Sequence, residues 1–270
     1  MKARGFTLIE LIIAIAISAI VLVFAAMFIG APIDAYEAHS RRAGLVADAA
    51  GAWPRMEADL RNALPNSLRA HRNVIASNFV VIEMLKVLDV GRYKVLPATP
   101  SFDTAGVYFG GVAPNYLSIG NLGTPGADAY SLAGSISPAG SIIAMSPGAV
   151  AGETHIAVNP APLFAADSPK QRIYFVEGPV TYLCDESLGT LSRYAKYPVK
   201  LDPTTYDTAG KFSLALVPGE LITQGLTSCI FEVSAPGSAT QGQTAAVRLT
   251  TIRNGDSVTL AHSVHAEYVP

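Results

Sequence analysis

The N-terminal stretch of the chain decides its fold class. It reads MKARGFTLIE (residues 1–10) followed by LIIAIAISAIVLVFAAMFIGAPI (residues 11–33). As a helix, the second part is long enough to cross a hydrocarbon core of about 30 Å. Lys2 and Arg4 precede it, so we expect the N-terminus to stay in the cytoplasm and the rest of the chain to lie outside. Three residues in the second part are not strongly apolar: Ser18, Gly30 and Pro32.

Two ordinary explanations of this segment leave features unexplained. A secretory signal peptide has an apolar region of about 7–15 residues followed by a small-residue cleavage site, and this run is longer. A plain single-pass anchor accounts for the apolar run and the two basic residues. It does not account for Glu10, because a carboxylate on a membrane segment is costly and is usually functional.

A third explanation covers all of these features. The sequence Gly5-Phe6-Thr7-Leu8-Ile9-Glu10, placed before the apolar run, resembles the N-terminal signal of type IV prepilins. This resemblance implies that a prepilin peptidase cuts between Gly5 and Phe6 and methylates the new amine of Phe6. It also implies that Glu10 pairs with the Phe6 amine of a neighbouring subunit. An unpaired carboxylate in lipid is penalised, so such a pair would set the register of assembly.

Residues 34–64 form the second half of the predicted helix, and residues 6–33 form the transmembrane half. Apolar side chains recur here at steps of three and four, which predicts an amphipathic helix packed on a sheet. Pro32 and Pro54 should bend it or break its hydrogen bonding locally, and Pro65 should end it. The apolar stripe consists of Leu45, Ala49, Trp53, Met56, Leu60 and Leu64.

Residues 65–270 have the composition of a β-rich head, with a loop-rich insertion at about 97–170 that is rich in Gly, Pro, Ala, Ser and Asn. In the last strand, Val258, Leu260, Val264, Ala266 and Tyr268 share one face, whereas Thr259, Ser263, His265 and Glu267 take the other. The other predicted strands are residues 79–84, 91–95 (after a turn), 172–176, 180–184, 191–194, 229–233 and 246–250, with turns at 177–179 and 187–189.

The expected architecture is therefore α+β: a leader (residues 1–5), a long N-terminal helix and a mainly antiparallel head, as in type IV pilins. The only two cysteines, Cys184 and Cys229, lie in the exported part. One disulfide is the simplest interpretation, and two unpaired buried thiols are the alternative.

The sequence offers no recognisable site for catalysis, a cofactor or a metal. It contains no Gly-x-Ser-x-Gly elbow, Walker loop or Cys-x-x-Cys, and its net charge of −2 argues against nucleic-acid binding. His262 and His265 should face opposite sides of a strand. Asp185 and Glu186 could contribute to a calcium site, but a solvated turn is favoured because calcium takes six or more oxygens.

Scattered segments resemble a minor pilin of the mannose-sensitive haemagglutinin (MSHA) type IV pilus. Pro54 departs from that pattern, and residues 131–170 match nothing in it. The resemblance implies a non-enzymatic role in pilus assembly, in the initiation or tip complex. The alternatives are a minor pseudopilin of type II secretion and an adhesive module at a fibre tip. The segments are residues 60–67, 87–93, 121–130, 180–194 and 265–270.

The implied partners follow from this role. They are the prepilin peptidase, other minor and major pilins, the inner-membrane assembly platform and membrane lipid. The protein would first span the inner membrane once, with a periplasmic head, and would then join a pilus at the cell surface, at its tip.

Overall fold

The computed structural model describes residues 7–106, 112–132, 134–237 and 242–266. The chain divides into two units, residues 1–45 and 46–270. Helix α1 (Leu8–Ala50) accounts for the described part of the first unit and continues into the second. The expected combination of an apolar N-terminal helix and a mostly antiparallel head is confirmed.

The N-terminal part of α1 meets the requirements of a membrane span. Leu8–Phe28 has a mean hydropathy of 3.0 over 21 residues, and none of its most apolar window is buried inside the protein. Pro32 lies within α1. Its missing N–H costs one backbone hydrogen bond, yet the helix continues past it to Ala50.

The predicted helix ends at Arg61 instead of Leu64, and it is interrupted beside Pro54, as expected. The chain turns at Gly51 and Ala52, and a second helix, α2 (Trp53–Arg61), begins there. Pro54 falls in the first turn of α2, where no N–H is needed, so it starts a helix instead of bending one. Helix α2 ends ahead of Pro65, because Leu64 N donates to Leu85 O at 2.7 Å and Asn62 O accepts from Val87 N at 2.8 Å.

The head contains a large antiparallel sheet with strand order β5-β6-β3-β2-β7-β8-β9, in which β1 also pairs with β2 and β4 with β7. A second antiparallel sheet has the order β10-β11-β12. A short helix, α3 (Ala209–Leu214), lies between β8 and β9 in sequence. The strands are β1 (Arg69–Arg72), β2 (Phe79–Tyr93), β3 (Ser101–Ala105), β4 (Tyr116–Ser118), β5 (Ile142–Pro147), β6 (Glu153–Val158), β7 (Arg172–Asp185), β8 (Thr190–Ala195), β9 (Gly219–Gln224), β10 (Leu226–Val233), β11 (Gln243–Arg253) and β12 (Asp256–Ala266).

Two predicted turns are absent from the described strands. Strand β2 continues without a turn through residues 84–91, and strand β7 continues through residues 177–179. The two strands pair from Phe79↔Asp185 to Arg92↔Arg172. The register of this pairing shifts between Lys86 and Asp89, where β2 is irregular. On the other edge of β7, pairing with β4 ends at Val176 and pairing with β8 starts at Val180. Pro179 therefore sits where its missing N–H interrupts no ladder on that side. The turn at 187–189 is confirmed.

Residues 97–170 combine loops with short strands. They supply β3, β5 and β6, which extend the large sheet, and β4, which pairs with β7. Side chains from these strands form a core of their own with the ends of β2 and β7. Its members include Tyr93, Leu117, Ile119, Ile156, Val158, Ile173 and Phe175.

The main core lies between the helical segment and the two sheets. Ala49, Met56 and Leu60 of the predicted stripe are buried there, Trp53 is partly buried against it, and Leu64 belongs to a neighbouring cluster. The alternation of β12 is confirmed as far as Ala266, and Glu267 and Tyr268 lie outside the described residues. Sheet residues in this core include Ile82, Met84, Tyr182, Leu249 and Val264.

Candidate functional site

The predicted processing site lies at the N-terminus. Gly5 and Phe6 fall outside the residues that the structure describes, so cleavage and methylation there remain predictions. The description begins at Thr7, one residue before α1.

Glu10 is held at the start of α1 by Thr7. The backbone N and Oγ1 of Thr7 each donate to Glu10 Oε2 at 2.9 Å, and Glu10 N donates to Thr7 Oγ1 at 3.3 Å. This reciprocal pair is a capping box, which satisfies backbone donors at a helix N-terminus. Sequence reasoning identified Glu10 but missed Thr7, although the Thr-x-x-Glu spacing is visible in the sequence.

The cap determines what Glu10 can do. Its carboxylate is exposed and sits where the helix dipole favours a negative charge. A carboxylate has several lone-pair positions, so Glu10 can keep the cap and still accept from a cation outside the helix. This arrangement suits a charge-assisted contact between chains.

A buried ion pair fixes α2 to the large sheet. Asp59 Oδ2 accepts from Arg193 Nε at 2.6 Å and from the Tyr182 hydroxyl at 2.7 Å. The side chains of Asp59 and Arg193 are only 6% and 9% exposed. Burial, and then the charge of Asp59, raises the pKa of Tyr182. Asp59 and Arg193 are 134 residues apart in the sequence, so no local pattern indicates that they pair.

A second buried cluster joins β1, β2 and the segment after β8. Glu83 accepts from Arg69 Nε at 2.7 Å and from the Tyr197 hydroxyl at 2.9 Å. The guanidinium carbon of Arg69 lies 3.6 Å from the ring centroid of Tyr130. Burial raises the pKa of Glu83, while Arg69 and Tyr197 oppose that shift. The cluster gives each buried polar group a partner, which is a structural role.

The predicted disulfide links Cys184 of β7 to Cys229 of β10. It joins the two sheets. Beside it, Glu186 accepts from Arg72 Nη1 at 2.6 Å and from Cys229 N at 2.9 Å. Asp185 Oδ1 accepts from Asn78 Nδ2 at 3.0 Å and from Ser187 N at 3.0 Å. Both carboxylates therefore serve as turn and strand contacts, which supports the turn interpretation over the calcium interpretation.

The two neighbouring histidines have separate environments. His262 stacks on Trp53 with ring centroids 3.9 Å apart, whereas His265 Nδ1 lies 3.2 Å from Thr244 Oγ1. Within the described ranges, no group of three or more His, Cys, Asp or Glu side chains could hold a metal.

Comparison with known proteins agrees with the N-terminal geometry. Residues 1–26 match the prokaryotic N-terminal methylation motif, a stretch that includes Gly5, Phe6 and Glu10. No curated protein sequence and no solved structure matches the chain. The matched motif, the membrane-length helix and the α+β head together support a type IV pilin-like protein.

Replacing Asp59 should destabilise the head. We expect Asp59→Ala to lower the free energy of unfolding by about 3–5 kcal/mol, because the buried Arg193 would keep only the more distant, exposed Glu220 at 3.8 Å and the Tyr182 hydroxyl would lose its acceptor. The matched control is Glu232→Ala, which breaks an exposed pair with Arg248 and should cost less than about 1 kcal/mol. Urea titration followed by near-UV circular dichroism measures both. Equal losses in the two variants would contradict a structural role for the buried pair.

Glu186 should make stability depend on pH. The hydrogen bond from Arg72, together with the donors Cys229 N and Ser228 Oγ, lowers the pKa of Glu186 from its usual 4.5. A lowered folded-state pKa gives stability that is present above pH 4.5 and is lost as the pH falls through the folded pKa. Melting temperatures measured as the pH falls below this value should decline less steeply in Glu186→Gln than in wild type. Glu232→Gln, which removes an exposed carboxylate, is the control. Identical slopes for Glu186→Gln and wild type would refute the assignment.

Proposed function

We propose that this protein is a minor subunit of a type IV pilus, similar to the minor pilin MshO of the MSHA system, and that it acts in the complex that starts the fibre and remains at its tip. The single observation that carries the assembly role is the methylation motif over residues 1–26, in front of a membrane-length helix. The likeness to the MSHA minor pilin comes from the sequence segments quoted above.

The mechanism we propose uses the N-terminus alone as the assembly element. The prepilin peptidase removes residues 1–5 and methylates Phe6. The helix of each subunit stays in the membrane until the assembly platform brings it beside other minor or major pilins. The Thr7 cap presents the Glu10 carboxylate at the helix end, where the Phe6 amine of a neighbour relieves the cost of placing a charge in lipid.

The rival roles use the same helix in a different setting. A minor pseudopilin of a type II secretion system would have the same N-terminus and a similar head. The identity of co-purifying membrane partners separates the two machines, since pilus subunits would accompany one and secretion-system subunits the other. Adhesion at a fibre tip is a third role, and ligand binding by the protein would favour it.

Processing is the first test. Protein from the native host should lack residues 1–5 and carry one added methyl group on Phe6, as intact-mass and N-terminal peptide measurements would reveal. Gly5→Val should retain the leader, because a β-branched side chain crowds the scissile bond. The control Ala3→Val leaves both residues at that bond unchanged and should be processed normally. Retention of Met1 in assembled fibres would rule out the prepilin mechanism.

A substitution series at Glu10 separates charge from helix capping. Gln at this position can still form a capping box but carries no charge. We therefore expect Glu10→Gln and Glu10→Ala to reduce co-purification of partner pilins about tenfold or more, with membrane insertion and processing unchanged. Glu10→Asp should retain part of the co-purification with partner pilins. The matched control is Glu37→Ala, which removes an exposed acid of the same helix that pairs with Arg41.

The result for Gln decides between the two roles of Glu10. If Glu10→Gln assembles like wild type while Glu10→Ala fails, Glu10 acts as a cap and the charge pairing is wrong. If both assemble like wild type while deletion of the whole protein abolishes pili, the head recruits this subunit.

A further inference from the structure

Two arginines face each other across the central strands of the head. Arg92 of β2 and Arg172 of β7 are register partners, so their side chains leave the same face of the sheet, with Cβ atoms about 5 Å apart. Like charges in such cross-strand positions destabilise a sheet. Arg92 is exposed, and the Nε of Arg172 is buried with no hydrogen-bond partner among the described residues. Among the residues that the structure describes, no ion pair offsets these two charges.

The nearby acidic groups are already engaged. Lys94 Nζ lies 2.8 Å from Glu153 Oε1, and His155 Nδ1 lies 2.8 Å from Asp103 Oδ1, on the strands that continue this sheet. Across residues 7–106, 112–132, 134–237 and 242–266, no ion pair involves Arg92, Lys170 or Arg172. Unpaired cations are therefore concentrated at this end of β2 and β7.

A cleft of about 550 Å³ lies beside them. The turn that forms its rim is fixed by backbone contacts: Gln171 N donates to Ser168 O at 2.8 Å, and Tyr93 N donates to Gln171 O at 3.0 Å. Gln171 itself has a φ of 52°, a left-handed conformation that is uncommon outside glycine. The lining residues are Arg92, Asp167, Ser168, Pro169, Lys170 and Gln171.

The balance of charge in and beside the cleft is positive. Arg92, Lys170 and Arg172 contribute three positive charges and Asp167 contributes one negative charge, which leaves +2. The Asp167 carboxylate is turned to internal donors, since its Oδ1 accepts from the Tyr93 hydroxyl and from Ser168 N at 2.8 Å. A ligand with two negative charges would neutralise the excess.

We propose that this cleft binds a tetrahedral dianion, either free inorganic phosphate or sulfate or a phosphate monoester on a larger molecule. Guanidinium groups match such oxyanions through paired N–H donors, and an ammonium adds a point charge. A carboxylate carries one negative charge and would offset only half of the excess. A tetrahedral dianion can contact Arg92 and Lys170 together and reduce the repulsion from Arg172. The proposal does not depend on the assembly role.

Binding can be measured on the full-length chain in a non-ionic detergent by isothermal titration calorimetry at constant ionic strength. The probes are inorganic phosphate, inorganic sulfate and a monosaccharide phosphate, with a monosaccharide sulfate and acetate as singly charged comparisons. We expect Arg92→Gln and Lys170→Gln to weaken binding of the tetrahedral probes about tenfold each, the effect of losing one charge-assisted hydrogen bond. Lys200→Gln, an exposed lysine on another segment, is the matched control and should bind like wild type.

Stability without ligand provides an independent readout. Arg92 is exposed, and its positive charge repels that of Arg172. Arg92→Gln should therefore melt at the same or a higher temperature than wild type at low salt. A folded variant with weakened phosphate or sulfate binding supports the site. Tighter binding of the phosphate ester than of inorganic phosphate identifies an ester as the source. Equal binding of acetate, or equal weakening in Lys200→Gln, would overturn the proposal.

Discussion

The pairing of β2 with β7 is the constraint on which the rest of the head depends. These strands are 15 and 14 residues long and are buried along most of both faces. A strand covered on both sides must find apolar or satisfied partners above and below the sheet. The helical segment and the small sheet cover one face with the main core. On the other face, α3 contributes Phe212 to a cluster with Val81 and Leu183.

Burial of the central pair also explains the ionic clusters. Glu83 lies in the middle of β2, where its side chain is 4% exposed, so it needs Arg69 and Tyr197. Asp59 enters the core from α2 and meets Arg193 of the neighbouring strand. An isolated charge in such a position would be severely destabilising. The paired charges therefore restrict how α2 and β1 can dock, in addition to the apolar contacts.

The sequence predicted features that local chemistry determines. The apolar run, Glu10, the amphipathic stripe, the turn before Thr190 and the alternation of β12 all follow from residue types at short spacing. The continuity of β7 was missed because Gly178 and Pro179 normally mark a turn, and only long-range pairing reveals a gap in the ladder beside them. The same limit applies to Asp59 with Arg193 and to Arg92 with Arg172. The members of each pair are far apart in the sequence, so the pair is recognised only in the folded structure.

The topology of the central pair also bears on how the head folds. Strand β2 cannot complete its pairing with β7 until the chain through Asp185 is available. The apolar strand β2 therefore stays unpaired until a partner about 80 residues later in the sequence is present. Closing such a long loop costs entropy before any contact is gained. Pairing among β3, β5 and β6 within the intervening residues shortens the loop that remains to be closed. The insertion thus provides a local route to the central strand pair, and chains interrupted before Asp185 would expose β2 to aggregation.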